Sequence, residues 1–434
     1  MDPIIISIII VVIFLALLSL GMHVGISLII PGFLGMVMLR GIGPAISELA
    51  TVSWTSSTSF TLAVIPMFML MGNVATKAGI TSDLFKACYR WLGRFRGGLA
   101  LVAIGTSSLF HCFCGSATAT AATIGAICYP EMLKYNYEPR ASAGIIASAS
   151  AFGLLIPPGI GYILYSTMSG VSIGKMFAGG IGPTVFMIFA SFIVIAYMVW
   201  RKPESMPRGE KFTMREKLSS LKGIVAFVVL FVFMLWGIFT GFFSPSEGGS
   251  IGAAGALIIM IFKRRFSFKV LWECLRDSVK MSVMIFLIMI GANIFGATLA
   301  MTQMPRQLAE VLSSMDTSPY VVLWIIMAVY FILGMAIDTL PLIAVLTPIF
   351  MPVVTKMGWD PVWFGVLTVM CMVIGLISPP DGMPVYVMAG ISKQPLMKVF
   401  GACLPFFIMN ILALIVLVYV QPITTWFVNL VHVY

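Results

Sequence analysis

The sequence predicts an all-α polytopic membrane protein made of two inverted structural repeats, each carrying one re-entrant helical hairpin and one discontinuous helix. Three features of the chain carry that prediction. Its 434 residues are 60% hydrophobic and 10% charged, with a mean hydropathy of +1.06, too little polar surface to solvate a globule of this size. Residues 101–183 recur at 323–405, a shift of 222. Both copies also hold a proline-rich break inside an apolar run, Pro157-Pro158-Gly159-Ile160-Gly161 in one and Ser378-Pro379-Pro380-Asp381-Gly382-Met383-Pro384 in the other.

The repeat is read from proline register. Pro130, Pro139, Pro157, Pro158 and Pro183 fall on Pro352, Pro361, Pro379, Pro380 and Pro405, and Lys134 falls on Lys356. With 24 prolines in the chain, one shift over such a window gives about 0.25 coincidences by chance, so a duplication is the better account. The breaks matter because in hydrocarbon every backbone N–H and C=O must be satisfied. An unwound segment survives there only when buried in protein or lining a wet cavity.

The net charge of +10 does not indicate nucleic acid, because Lys and Arg are confined to short loops rather than one face; membrane topology accounts for them. Seven cysteines, an odd number lying mostly in apolar runs, argue against disulfides and zinc. Cys112-Phe113-Cys114 beside His111 lacks a fourth ligand, so packing is the expected role of these residues.

In chain order, no Lys or Arg precedes Arg40, so the first helix is expected to be retained rather than cleaved as a signal. Apolar spans are expected at 3–20 and 24–39, an interfacial arm at 41–59, a third span at 60–74 and a basic amphipathic segment at 77–96. Residues 99–134 are basic at both ends, which a single crossing cannot satisfy. A re-entrant hairpin can, through 101–112 and back through 120–129, with its tip at Cys114-Gly115-Ser116-Ala117-Thr118-Ala119-Thr120. Small residues there serve close helix packing, or offer hydroxyls and carbonyls to a cation; both readings stand at this point. Residues 141–170 form a helix broken at Pro157-Pro158, since two prolines remove two donors. A span at 177–200 leads to a cytoplasmic linker at 201–222 with seven basic and three acidic residues.

The second half repeats this plan. Spans at 223–240 and 249–262 precede an arm at 263–280, a span at 282–300 and a loop at 301–319. The second hairpin, 320–357, is tipped at Asp338, and the second broken helix covers 363–390. A last span lies at 404–420. Five crossings separate Pro139 from Pro361, an odd number, so the repeats are inverted, with both termini periplasmic. Such symmetry belongs to secondary transporters with a midplane site, and no phosphate-binding Gly-x-x-x-x-Gly-Lys loop is present. The expected division is scaffold 1–98, transport part 99–183, helix and linker 184–222, scaffold 223–319, transport part 320–405 and a C-terminal helix 406–434.

Asp338 either marks an ion path, as intramembrane acids do, or caps a helix at the water interface together with Thr339. Asp381 after Pro-Pro is an ion ligand or a turn former. His111, on an apolar face, is expected to be a packing residue.

The Gly-Leu-Leu-Ile-Pro-Pro-Gly and Gly-Leu-Ile-Ser-Pro-Pro-Asp-Gly breaks and the Gly-Ser-Ala-Thr-Ala-Thr tip resemble the large membrane subunit of tripartite ATP-independent periplasmic (TRAP) transporters, over essentially the whole chain. The resemblance implies an elevator-type ion transporter fold in a bacterial inner membrane. It implies sodium-coupled uptake of an organic acid, sialic acid first and a C4-dicarboxylate next, with a periplasmic substrate-binding protein and a separate small four-helix membrane subunit as partners beside the lipid bilayer. Carried over by position, Ser116, Thr118, Pro157 and Gly159 form one sodium site, and Asp338, Thr339, Ser378, Asp381 and Gly382 the other. Ser116, Thr120, Gly161 and Asp338 are the implied substrate contacts. Na⁺ is the coupling ion, and no organic cofactor or catalytic residue is expected. A stand-alone sodium–dicarboxylate symporter shares every feature above and differs only in needing no binding protein. An intramembrane enzyme would need clustered acids or histidines, and the sixteen acids here are dispersed.

Overall fold

The computed structural model describes residues 2–431 apart from Asp316; the side chains of Cys112 and Phe113, part of the Cys-Phe-Cys run beside His111, also lie outside the described residues. The first half opens with α1 (Pro3–Ser19), α2 (Val24–Arg40), α3 (Ile42–Ser57), α4 (Val64–Lys77) and α5 (Ile80–Leu92). A hairpin of α6 (Gly98–Cys114) and α7 (Ala117–Lys134) follows, then two half-helices, α8 (Pro139–Phe152) and α9 (Ile160–Ser169), and the long α10 (Ile173–Arg201). After α11 (Met214–Leu221) the second half runs α12 (Val225–Phe239), α13 (Pro245–Phe262), α14 (Phe268–Met301) and α15 (Met304–Ser314). Its hairpin is α16 (Pro319–Gly334) and α17 (Thr339–Lys356), its half-helices are α18 (Pro361–Gly375) and α19 (Met383–Ser392), and α20 (Leu396–Tyr419) and α21 (Pro422–Val428) close the chain.

The repeat is longer than the proline register indicated. Helix α17 starts 222 residues after α7 (339 − 117), α18 after α8 (361 − 139) and α12 after α1 (225 − 3). Local chemistry sets these starts. Pro139 and Pro361 occupy the first turn of α8 and α18, where a missing N–H costs nothing. Asp360 caps α18 by accepting from the N–H groups of Val362 (2.7 Å) and Trp363 (3.1 Å). Packing follows the same symmetry: α2 lies along α14, and its counterpart α13 lies along α4, the counterpart of α14's membrane part.

Among the described residues seven spans are long and apolar enough to cross a membrane, one of them α8 and α9 taken together across their break and another α4 with the short turn before it. Three expectations change. The 301–319 loop contains α15, an amphipathic helix whose buried Pro305, Ala309 and Leu312 recur every three or four residues. The linker contains α11, started by a capping box in which Thr213 Oγ1 accepts from Glu216 N and Glu216 Oε2 accepts from Thr213 N. The arm at 263–280 and the span at 282–300 are one helix, α14 of 34 residues, because no proline interrupts it. The equivalent stretch of the first half holds a Ser/Thr run and Pro66, and there the arm α3 separates from α4.

Candidate functional site

Each hairpin tip turns beside the break in the discontinuous helix of its own repeat. In the first repeat α6 ends at Gly115, whose φ of +63° suits glycine; a Cβ there would stand 2.6 Å from Ile160 Cδ1, the first residue of α9. Ser116 then caps α7: its Oγ accepts from Ala119 N at 3.3 Å and lies 3.0 Å from Thr118 Oγ1. Thr120 Oγ1 donates to the Ser116 carbonyl at 2.8 Å. The break extends from Ile156 to Gly159, and α9 resumes at Ile160, so Gly161 is helical and not part of the open backbone. Gly159 sits over the carbonyls of Leu154 and Ile156, 2.8 and 3.3 Å from where its Cβ would be. The Leu155 carbonyl is satisfied by Thr184 Oγ1 (2.9 Å) and Tyr162 Oη (3.0 Å), as a buried break requires.

In the second repeat Asp338 caps α17, its Oδ1 accepting from Thr339 N at 2.7 Å. No described residue donates to its other oxygen, so capping and ligation are compatible: one oxygen holds the helix and one is left over. The break, from Leu376 to Gly382, is tied to this tip by the Asp381 N–H, which donates to the Met335 carbonyl at 3.1 Å. Ser378 Oγ donates to the Ile374 carbonyl at 2.7 Å, which uses its proton and leaves its lone pairs. Tyr386 Oη donates to the Pro380 carbonyl at 2.9 Å. In both breaks the Pro–Pro bond is cis.

The two units interlock. Half-helix α9 packs on α17 and half-helix α19 on α7, so each resumed helix rests on the hairpin of the other repeat. Gly161 shows the first contact, a Cβ there lying 3.5 Å from Ile343 Cδ1. The structure thus brings the first tip, at Gly115, against Ile160 where its broken helix resumes, and the second tip, at Met335, against Asp381.

The repeats differ in exposure. All of Ile156–Gly159 is buried, whereas Pro379, Pro380 and Asp338 are exposed and Asp381 is half-buried. They differ too in what lies behind the tip. His111 is buried, with Nδ1 3.3 Å from Thr120 Oγ1 and no partner for Nε2 among the described residues. A Cβ at Gly153 would stand 1.9 Å from its ring. His111 is thus a packing residue, as expected, held between the tip and the end of α8. The proline register could have revealed this, since it pairs His111 with Leu333 and Thr120 with Leu342, marking both as polar only in the first repeat.

Inverted repeats with paired hairpins and broken helices define a multi-pass membrane transporter of a fold already seen: the crystal structure of the Alcanivorax borkumensis YdaH transporter matches with a TM-score of 0.66 at 15% identity, covering 89% of this chain and 90% of that one. That likeness concerns the fold alone. Residues 11–423 match the family model of the tripartite ATP-independent periplasmic transporter, DctM component, and the chain belongs to that family. It is 31% identical to the C4-dicarboxylate TRAP transporter large permease protein DctM of Pseudomonas aeruginosa, over 88% of this chain and 89% of that protein. It is 32% identical to a putative TRAP transporter large permease protein of Haemophilus influenzae (95% and 97%). It is 30% identical to the sialic acid TRAP transporter large permease protein SiaM of Vibrio cholerae (90% and 91%).

Proposed function

We propose that this chain is the large subunit of a sodium-driven importer in which Na⁺ binds at the two tip-and-break units and an organic acid binds between them. One observation carries the reading: the repeat-equivalent residues Ser116 and Asp338 (338 − 116 = 222) each cap the returning hairpin helix, at tips that touch the broken helix of their own repeat through Gly115–Ile160 and Met335–Asp381. Na⁺ is held by about five or six oxygens with little net negative charge. Ser116, Thr118 and the carbonyls around Pro157 and Gly159 are such a set without a carboxylate. Asp338, Thr339, Ser378, Asp381 and the backbone at Gly382 are one with carboxylate. Half-helix N-termini and the hydroxyls of Ser116 and Thr120 suit a substrate carboxylate, with Gly161 keeping the start of α9 slim and Asp338 at the opposite edge.

Relatives named for C4-dicarboxylate and for sialic acid stand at 31% and 30% identity, which supports an organic acid and does not rank the two. Sialic acid is the first substrate to test and a C4-dicarboxylate the second. In this reading the hairpins and broken helices, 99–183 and 320–405, move as one elevator body against the helices of 1–98 and 223–319. The bilayer is a bacterial inner membrane, with both termini periplasmic. A small four-helix membrane subunit and a periplasmic substrate-binding protein complete the system. Uptake of labelled sialic acid into proteoliposomes holding this chain, the small subunit and the binding protein tests it. Accumulation is expected only with an inward Na⁺ gradient and the binding protein present. Accumulation without the binding protein would favour the stand-alone symporter, and gradient-independent accumulation would end the sodium reading.

A further inference from the structure

We propose that the Lys- and Arg-bearing end of α8, α10 and α20 holds the headgroup of an anionic glycerophospholipid. A cavity of about 370 Å³ opens there, rimmed by Arg140, Arg201, Lys202 and Lys398 against one acid, Glu138. None of these five side chains makes an ion pair with another among the described residues, and the four cations are exposed. The back wall is apolar, with Met198, Ala402 and Pro405. Positive charge over an apolar floor is complementary to a phosphodiester joined to acyl chains.

The surroundings favour a lipid over a soluble anion. Helices α10 and α20 pack together, and each carries an exposed apolar stripe leading away from the cavity: Val185, Phe189 and Ile193 on α10, Leu404, Ile408 and Leu412 on α20. The spacing of four residues puts each stripe on one helix face. Tyr197, which accepts from Arg201 Nη1 at 3.5 Å, and Trp200 are exposed beside the rim, at the level where aromatic residues meet lipid headgroups. By the positive-inside rule this end faces the cytoplasmic leaflet, where anionic lipids attract basic residues. The occupant would tie α8 and α10 of the first repeat to α20 of the second.

The test is lipid retention in detergent, read by native mass spectrometry. It compares the wild-type chain, the Arg201→Gln/Lys398→Gln variant and the charge-preserving Arg201→Lys/Lys398→Arg variant, with phosphatidylglycerol or phosphatidylcholine added. Losing two cations is expected to weaken phosphatidylglycerol retention about 30-fold, with phosphatidylcholine unchanged and the charge-preserving variant close to wild type. Inorganic phosphate in millimolar excess is expected to leave the lipid bound, because the acyl chains add to its hold. Equal retention by wild type and the Gln variant overturns the proposal, as does equal retention of the two lipids. Displacement by phosphate overturns the lipid assignment in favour of a free anion. Should the double Gln variant fail to fold, Lys398→Gln alone serves, with about a fivefold loss expected.

Discussion

Ser116 and Asp338 occupy one position in two copies of the same hairpin, and nearly everything around them has diverged. At the first tip the cap is a neutral hydroxyl, the break opposite is fully buried, and polarity continues inward through Thr120 to His111. At the second tip the cap is a carboxylate, Pro379 and Pro380 are exposed, and the positions equivalent to Thr120 and His111 are Leu342 and Leu333. One repeat thus carries polar groups both at the turn and behind it, and the other at the turn only. The arms differ as well: α3 and α4 are separate, while α14 is continuous. A duplicated fold can keep its backbone register while each copy places charge, hydroxyls and kinks where its own side of the site needs them.

The largest expected effect tests the carboxylate. Asp338→Ala should lower sodium-driven uptake at least about 100-fold, more than the loss of an outer-shell metal partner brings, with an unchanged elution profile. Asp338→Asn keeps the cap and should lose nearly as much, because an amide accepts the Thr339 N–H but adds no charge for the ion. Normal sodium dependence in either variant would leave Asp338 a helix cap only. Ser116→Ala, at the equivalent place, should raise the half-saturating Na⁺ concentration only about tenfold, the scale of one neutral ligand. If the two variants behave alike, the division between a neutral and a charged site fails.

Legibility divides along the same line. Hairpins, breaks and their equivalence could be read because proline and glycine constrain the backbone whatever surrounds them, so Pro157-Pro158 and Pro379-Pro380 marked the breaks directly. The helices α11 and α15 were hidden because each is short and polar, with few buried positions, and signals itself by a capping box or a sparse stripe rather than by hydropathy. The contacts of His111 were hidden for another reason. A histidine in an apolar run reads as packing, which it is, but the run does not tell that Thr120 and Gly153 are what it packs against.

A smaller effect concerns how tightly each break is held. Gly153 and Gly375 are repeat-equivalent (375 − 153 = 222), yet a Cβ at Gly153 would meet the His111 ring at 1.9 Å, whereas one at Gly375 would meet the Gly334 carbonyl oxygen at 2.4 Å. Either Gly→Ala change overpacks the junction and should cost about 1–3 kcal/mol, read as a lower thermal midpoint in detergent. Gly375→Ala should be the worse of the two, because a helix carbonyl has less freedom to move than a side chain, and it should also weaken sodium dependence by loosening the Asp381–Met335 contact. If Gly375→Ala is harmless, that tip and break are not clamped together.

The smallest effect belongs to His111→Leu, which gives the first repeat the residue of the second. Losing the contact with Thr120 Oγ1 costs about 0.5–1.5 kcal/mol, while removing the unpartnered buried Nε2 relieves a penalty of similar size, so the net change should stay within about 1 kcal/mol. Thr120 keeps its bond to the Ser116 carbonyl, so the tip should hold its shape and the half-saturating Na⁺ concentration should move by no more than about threefold. Sodium titration of uptake together with the thermal midpoint reads both quantities. A loss as large as that of Asp338→Ala, with the fold intact, would mean that the inward polar groups of the first repeat do for its ion or substrate what the exposed carboxylate does in the second.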